Sequence, residues 1–114
     1  MDFPPQSPAM SHDRVSYEEV EPVAEGMHFL RDPLNCEQLG LTVVEVGPDW
    51  SGKEHDHAGD GQEEIYLLLD GAATLTVEGE AMELSSGEAV RVDPDATRQL
   101  EVTEESQLVI AGAD

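Results

Sequence analysis

The feature that most constrains this chain is a rhythm. After Val15, short runs rich in Val, Leu and Ile are cut by turn signals such as "GPDWSG", "AGDG", "SSGE" and "DPDA", arriving roughly every six to ten residues, as in compact all-β domains. Within the runs, apolar and polar residues alternate. Ala73, Leu75 and Val77 stand against Thr74, Thr76 and Glu78, and Val90 and Val92 against Ala89 and Arg91. A period of two belongs to a half-buried strand, and no stretch sustains a helical period. The spacing predicts strands over 27–30, 39–46, 53–57, 64–69, 73–78, 81–84, 89–92, 98–102 and 107–111, assembled into an antiparallel all-β barrel or sandwich. The run from Ile65 to Leu69 is apolar on both faces, as expected of a central strand or of one that meets another subunit.

At 114 residues the chain has room for one domain with a modest core. Residues 1–14, "MDFPPQSPAMSHDR", hold Pro4, Pro5 and Pro8 and little that could pack, so they are expected to form a mobile arm, with His12 solvated. Residues 15–114 form the domain. Five basic residues face 26 acidic ones, a formal charge of −21, and Lys53 is the only lysine. The acidic residues are scattered through the chain, not gathered in a tail. That pattern is similar to proteins of halophiles, whose salt-filled cytoplasm shortens the Debye length and relieves self-repulsion. Such a surface argues against nucleic acid and anionic lipid as partners, since both are polyanions. There is no apolar run of membrane-spanning length and no secretory leader, so a cytoplasmic location is expected. One cysteine, Cys36, forms no internal disulfide and is expected simply to pack near a strand start.

The chemistry concentrates in "KEHDHAGDGQEEIYLLLDG", Lys53 to Gly71. In an extended segment, residues i and i+2 share a face, so His55 and His57 point one way and Glu54 and Asp56 the other. Glu64 shares parity with Tyr66 and Leu68, and in a hairpin it would face His57 from the neighbouring strand. Two imidazoles and one carboxylate make a facial ligand set for a divalent transition metal, whether Fe, Mn, Zn, Ni, Co or Cu. By itself His-x-His also occurs in ordinary solvated turns. The parity of Glu64 and the apolar strand beside it favour the metal reading.

These residues resemble the cupin family. Its first motif reads Gly, five residues, His-x-His, three or four residues, Glu, six residues, Gly. Here His55-x-His57 precedes Glu64, and "IYLLLD" separates Glu64 from Gly71. Six residues rather than three or four follow His57, a cheap loop insertion, and Gly47 lies too far upstream, Gly52 too near. The second motif reads Gly, five residues, Pro-x-Gly, two residues, His. After Gly87 come six residues and "PDATRQ", so that Ala96 replaces the glycine and Gln99 the histidine. The resemblance implies a small jelly-roll β-barrel, often dimeric, with a metal held inside by three His and one Glu. Carried onto this chain, it gives His55, His57 and Glu64 as ligands and places Gln99, a neutral and weaker donor, at the fourth position.

Parity offers competing answers. If Leu100 and Val102 face inward, so does Arg98 rather than Gln99, unless a bulge after Pro94 reverses the order. Gln62 shares the parity of Glu64 and is an alternative oxygen donor. An inward Arg98 would pair with Glu64 or hold an anionic substrate; an outward one would pair with surface carboxylates. Tyr66 is a candidate to present its hydroxyl to a barrel ligand, although core packing is its commoner use. Trp50 is placed to lid the barrel or pack on a neighbouring sheet, and His28 to pack at the rim. Three functions follow. One is a metal-dependent enzyme, an oxidoreductase or isomerase acting on a small molecule. Another is a non-catalytic small-ligand binder or sensor without metal. The third is an interaction module whose barrel is filled by side chains. The fold does not choose among them. A homodimer is expected, because open sheets must hide their edges. Metal binding would weaken as pH falls through the histidine range.

Overall fold

A computed structural model describes residues 11–114 of the chain. The predicted arm at residues 1–14 therefore lies mostly outside the described residues. Eight strands carry the fold: β1 (Met27–Phe29), β2 (Leu39–Val46), β3 (Glu63–Asp70), β4 (Ala73–Val77), β5 (Glu80–Leu84), β6 (Ala89–Val92), β7 (Arg98–Val102) and β8 (Ser106–Ala113). One turn of 3-10 helix, Tyr17–Glu19, precedes them. All pairings are antiparallel. The strands form a five-stranded sheet in the order β1-β2-β8-β3-β6 and a three-stranded sheet in the order β5-β4-β7. This is the jelly-roll arrangement.

Eight of the nine predicted strands are present, three of them, β2, β6 and β7, with the predicted bounds. The ninth, 53–57, is extended but is not a strand. It touches β7 through isolated bridges, Ser51 to Glu101 and His55 to Arg98. Three residues on one side match two on the other between those bridges, so the segment carries an extra residue that breaks the ladder, as a bulge does. The hairpin expected between 53–57 and β3 is corrected in consequence. His55 runs along the free edge of the three-stranded sheet, and Glu64 stands in the five-stranded sheet opposite.

The alternation along each strand decides what lies between the sheets. Tyr66 and Leu68 of β3, Leu108 and Ile110 of β8, Leu75 of β4 and Leu100 of β7 are buried together with Val44, Val92 and Val102. Ile65 and Leu39 stay about half exposed on the outer face. Gly71 turns β3 into β4 at φ +104, a backbone region that favours glycine. It also lies so close to β8 that a side chain there would meet Glu105 O at 2.6 Å.

Candidate metal centre

The centre is assembled from two sheets. Antiparallel hydrogen bonds clamp the bridge at His55: its N–H donates to Arg98 O at 3.0 Å and its carbonyl accepts from Arg98 N–H at 2.9 Å. Two residues on, His57 N–H donates to Pro94 O at 2.8 Å. These bonds aim both imidazoles into the same cavity, which Glu64 enters from β3. One donor atom from each of His55, His57 and Glu64 lies within 4.8 Å of the others. His57 Nε2 and Glu64 Oε2 are 3.4 Å apart, the separation of two ligands each about 2.1 Å from one tetrahedral ion.

The surroundings fit a metal. His55 Nδ1 is 2.9 Å from Lys53 O, and a carbonyl can only accept, so the proton sits on Nδ1 and Nε2 is left bare. His57 Nδ1 lies 3.1 Å from both carboxylate oxygens of Asp60, which selects the same tautomer. A ring nitrogen held by a carbonyl or carboxylate orients the other nitrogen toward an ion and raises its basicity. The hydrogen bond from His57 in turn holds the Asp60 carboxyl below its ordinary range. On the third candidate ligand, Glu64 Oε1 accepts from Arg98 Nη1 at 2.7 Å and from the Tyr66 hydroxyl at 3.0 Å. Oε2 is the oxygen turned to His57. Burial, and then the Glu64 charge, push the Tyr66 phenol up, so it stays a neutral donor.

Each residue singled out in the sequence now has a place. Arg98 is 1% exposed and fully engaged: besides Glu64, its Nη2 donates to Asp93 O at 2.6 Å and its Nε to Ala96 O at 3.0 Å. It does not line the cavity and is not available to hold a substrate. The strand alternation places Arg98, Leu100 and Val102 inward. Gln99 is turned the other way, its amide donating to Gly52 O at 3.0 Å, so it is not brought to the ligands. Gln62 does line the cavity; its Oε1 lies 3.3 Å from where a Cβ on Gly112 would stand. Gly112 thus keeps β8 from filling the space beside Gln62 and Glu64. Trp50 is a core residue whose indole N–H donates to Ala24 O at 2.9 Å, and it does not lid the cavity. His28 packs edge-on against Tyr17, with Nδ1 bonded to Val20 O at 2.8 Å.

Two residues of the site escaped the sequence reading. Asp60 lies in the "AGDG" insert, which looked like inert loop and instead orients His57. Arg31, in the turn after β1, lines the cavity. Its one signal was scarcity, since the chain has only five basic residues. The cavity itself measures about 350 Å³, at the small end of ligand sites. Met27, Phe29 and Ile110, which share the inward face of the five-stranded sheet, give the same cavity an apolar lining.

The cupin domain model matches residues 42–111, more than half of the chain, from within β2 to within β8. The chain belongs to the cupin family. Solved structures agree on the fold of this cupin. It is similar to a cupin protein from Bacteroides fragilis, at 23% identity and a TM-score of 0.70 over 89% of this chain and 86% of that one. An RmlC-like cupin from Shewanella frigidimarina gives 15% identity and a TM-score of 0.73 over 91% and 94%. KdgF from Halomonas sp. gives 22% identity and a TM-score of 0.62 over 67% and 68%. No curated protein matches. No helix among the described residues is long and apolar enough to cross a membrane.

Proposed function

We propose that this cupin binds a divalent transition metal through His55, His57 and Glu64 and acts on a small molecule in the adjoining cavity, as an oxidoreductase or isomerase. The observation that carries the reading is the state of the imidazoles: both Nδ1 atoms are engaged by acceptors, His57 Nε2 stands 3.4 Å from Glu64 Oε2, and one donor atom of His55 lies within 4.8 Å of one from each of the other two. Arg98 and Tyr66 hold Oε1 and present Oε2 as a single donor. When bound, the ion would supply Lewis-acid chemistry at positions left open by a three-residue ligand set. The chain's own part is to fix the donors, exclude water along the apolar wall and offer Gln62 as a neutral oxygen beside the site.

A second reading, a metal-free small-ligand binder, is favoured by the Arg98–Glu64 pair, because a carboxylate already neutralised at 2.7 Å needs no second cation. Metal content of protein purified without a histidine tag separates the two. We expect one ion per chain in the wild type and loss of the ion in both His55→Ala and Glu64→Gln, with all three folded. Protein free of metal throughout would overturn the metal reading. Glu64→Gln is preferable to Glu64→Ala, which leaves the buried Arg98 without a partner. The acidic, lysine-poor surface supports a protein adapted to high salt in a cytoplasm. The half-exposed Leu39 and Ile65 on the outer face of the five-stranded sheet support a homodimer formed across that face.

A further inference from the structure

The sequence left an inward Arg98 either to pair with Glu64 or to hold an anion, and the structure commits it to Glu64. The cation that does line the cavity is Arg31. Its Nη2 donates to Glu37 O at 2.6 Å, a neutral acceptor that fixes the side chain without consuming its charge. Among the described residues no carboxylate pairs with it, whereas Arg91 pairs with Glu63 and Asp93, and Arg98 with Glu64. Among the same residues Arg14 and Lys53 have no carboxylate partner in an ion pair either, but of the five basic residues Arg31 alone lines the cavity, so its charge is directed there. A guanidinium offers a planar fork that matches a carboxylate with two parallel hydrogen bonds.

The rest of the lining narrows the ligand. Met27, Phe29 and Ile110 cannot hydrogen-bond through their side chains, so the part of the ligand against them is apolar. The formal charge of −21 opposes anions in proportion to their charge, and one arginine compensates one negative charge. We propose that the ligand of this cavity is a small monocarboxylic acid with an apolar body, its carboxylate held by the Arg31 guanidinium. This rests on the reading of the cavity as a small-molecule site, but not on the metal.

The test uses hexanoate, hexanamide and hexyl phosphate as probes, titrated into the full chain at about 0.15 M KCl, where the Debye length is ~8 Å. Binding is read from methyl NMR shifts of Met27 and Ile110. Wild type, Arg31→Gln and Arg31→Lys are compared, each with its melting temperature to certify folding. Hexanoate is expected to bind at least ~10-fold tighter than hexanamide, as one charge-assisted pair requires. That preference should vanish in Arg31→Gln and survive in part in Arg31→Lys. Repeating the titration after chelator treatment separates the two claims: an unchanged preference supports the Arg31 assignment whatever the metal content proves to be. Equal affinity for acid and amide, preference unchanged in Arg31→Gln, tighter binding of hexyl phosphate, or no binding of hexanoate would each overturn the proposal.

Discussion

Arg98 offers the sharpest test of how the centre is held together. It is buried, its Nη1 sits 2.7 Å from Glu64 Oε1, and two further donors reach the carbonyls of Asp93 and Ala96. Two unit charges about 4 Å apart at an effective dielectric of about 20 attract by about 4 kcal/mol. Breaking such a pair by removing one partner costs about 3–5 kcal/mol, because the other charge stays buried alone. Arg98→Met also strips the 93–96 turn, on which His57 N–H rests, of two hydrogen bonds. A domain of this size has about 5–15 kcal/mol of stability in total. Arg98→Met should therefore lower the melting temperature by roughly 15–30 °C, at about 4–8 °C per kcal/mol. Glu64→Gln, which keeps the shape and removes the charge, should cost less, since Gln Oε1 still accepts from Arg98. The double variant decides the matter. If the pair is the stabilising unit, Arg98→Met with Glu64→Gln is more stable than the sum of the single losses by about 2 kcal/mol or more in urea unfolding. Additivity to within about 0.5 kcal/mol, the behaviour of independent sites, would refute the account of Arg98 as the partner of Glu64.

Other expectations can be checked directly. Asp60→Asn leaves His57 Nδ1 with a neutral acceptor, and metal affinity should drop about 10–100-fold with the melting temperature almost unchanged; equal metal titrations in the two proteins would count against the role of Asp60. Gly71→Ala places a methyl group against the backbone of Glu105 and Ser106 at φ +104, and chemical denaturation should show a loss of about 2–4 kcal/mol. The charge of −21 predicts a melting temperature that rises by at least ~5 °C between dilute buffer and about 2 M KCl, where screening is nearly complete; a flat profile would remove the high-salt reading.

What the sequence made legible, and what it hid, follows from the range of the interactions involved. Strand alternation is local. β2, β6 and β7 were therefore readable to the residue, whereas the facing of β7 stayed open between the alternation, which turns Arg98 inward, and the family motif, which turns Gln99 inward. His55, His57 and Glu64 were legible because a period-two pattern and a family motif agree on them. The pairing that brings them together was not. It depends on the extra residue between Ser51 and His55, which prevents a regular strand and lays the segment along β7 instead of β3. No local propensity reports a bulge of that kind. Asp60 was hidden because its role requires the loop to fold back on His57, with Gly61 N–H bonded to His57 O at 2.8 Å. Arg31 was hidden because a cavity wall is a product of topology: it reaches the space only through the β1–β2 connection.

The substitution at the second motif ties these points together. The second motif differs from the family pattern by one residue before Pro94 and by Ala96 in place of glycine, and the position where the family carries a histidine faces outward as Gln99 while its neighbour Arg98 faces in. Arg98 cannot ligate a cation. It can neutralise Glu64, hold the 93–96 turn and leave one carboxylate oxygen facing His57. The position that holds no fourth candidate ligand thus lies beside a rigid support for Glu64. The candidate ligand set then consists of two imidazoles whose Nδ1 atoms meet acceptors and one oriented carboxylate, beside a cavity whose cation is Arg31. Restoring a histidine at position 99 alone should not rebuild a four-ligand site, because that side chain points at Gly52. Metal stoichiometry and affinity in Gln99→His should match the wild type, and a tighter site in that variant would show that β7 can shift its register.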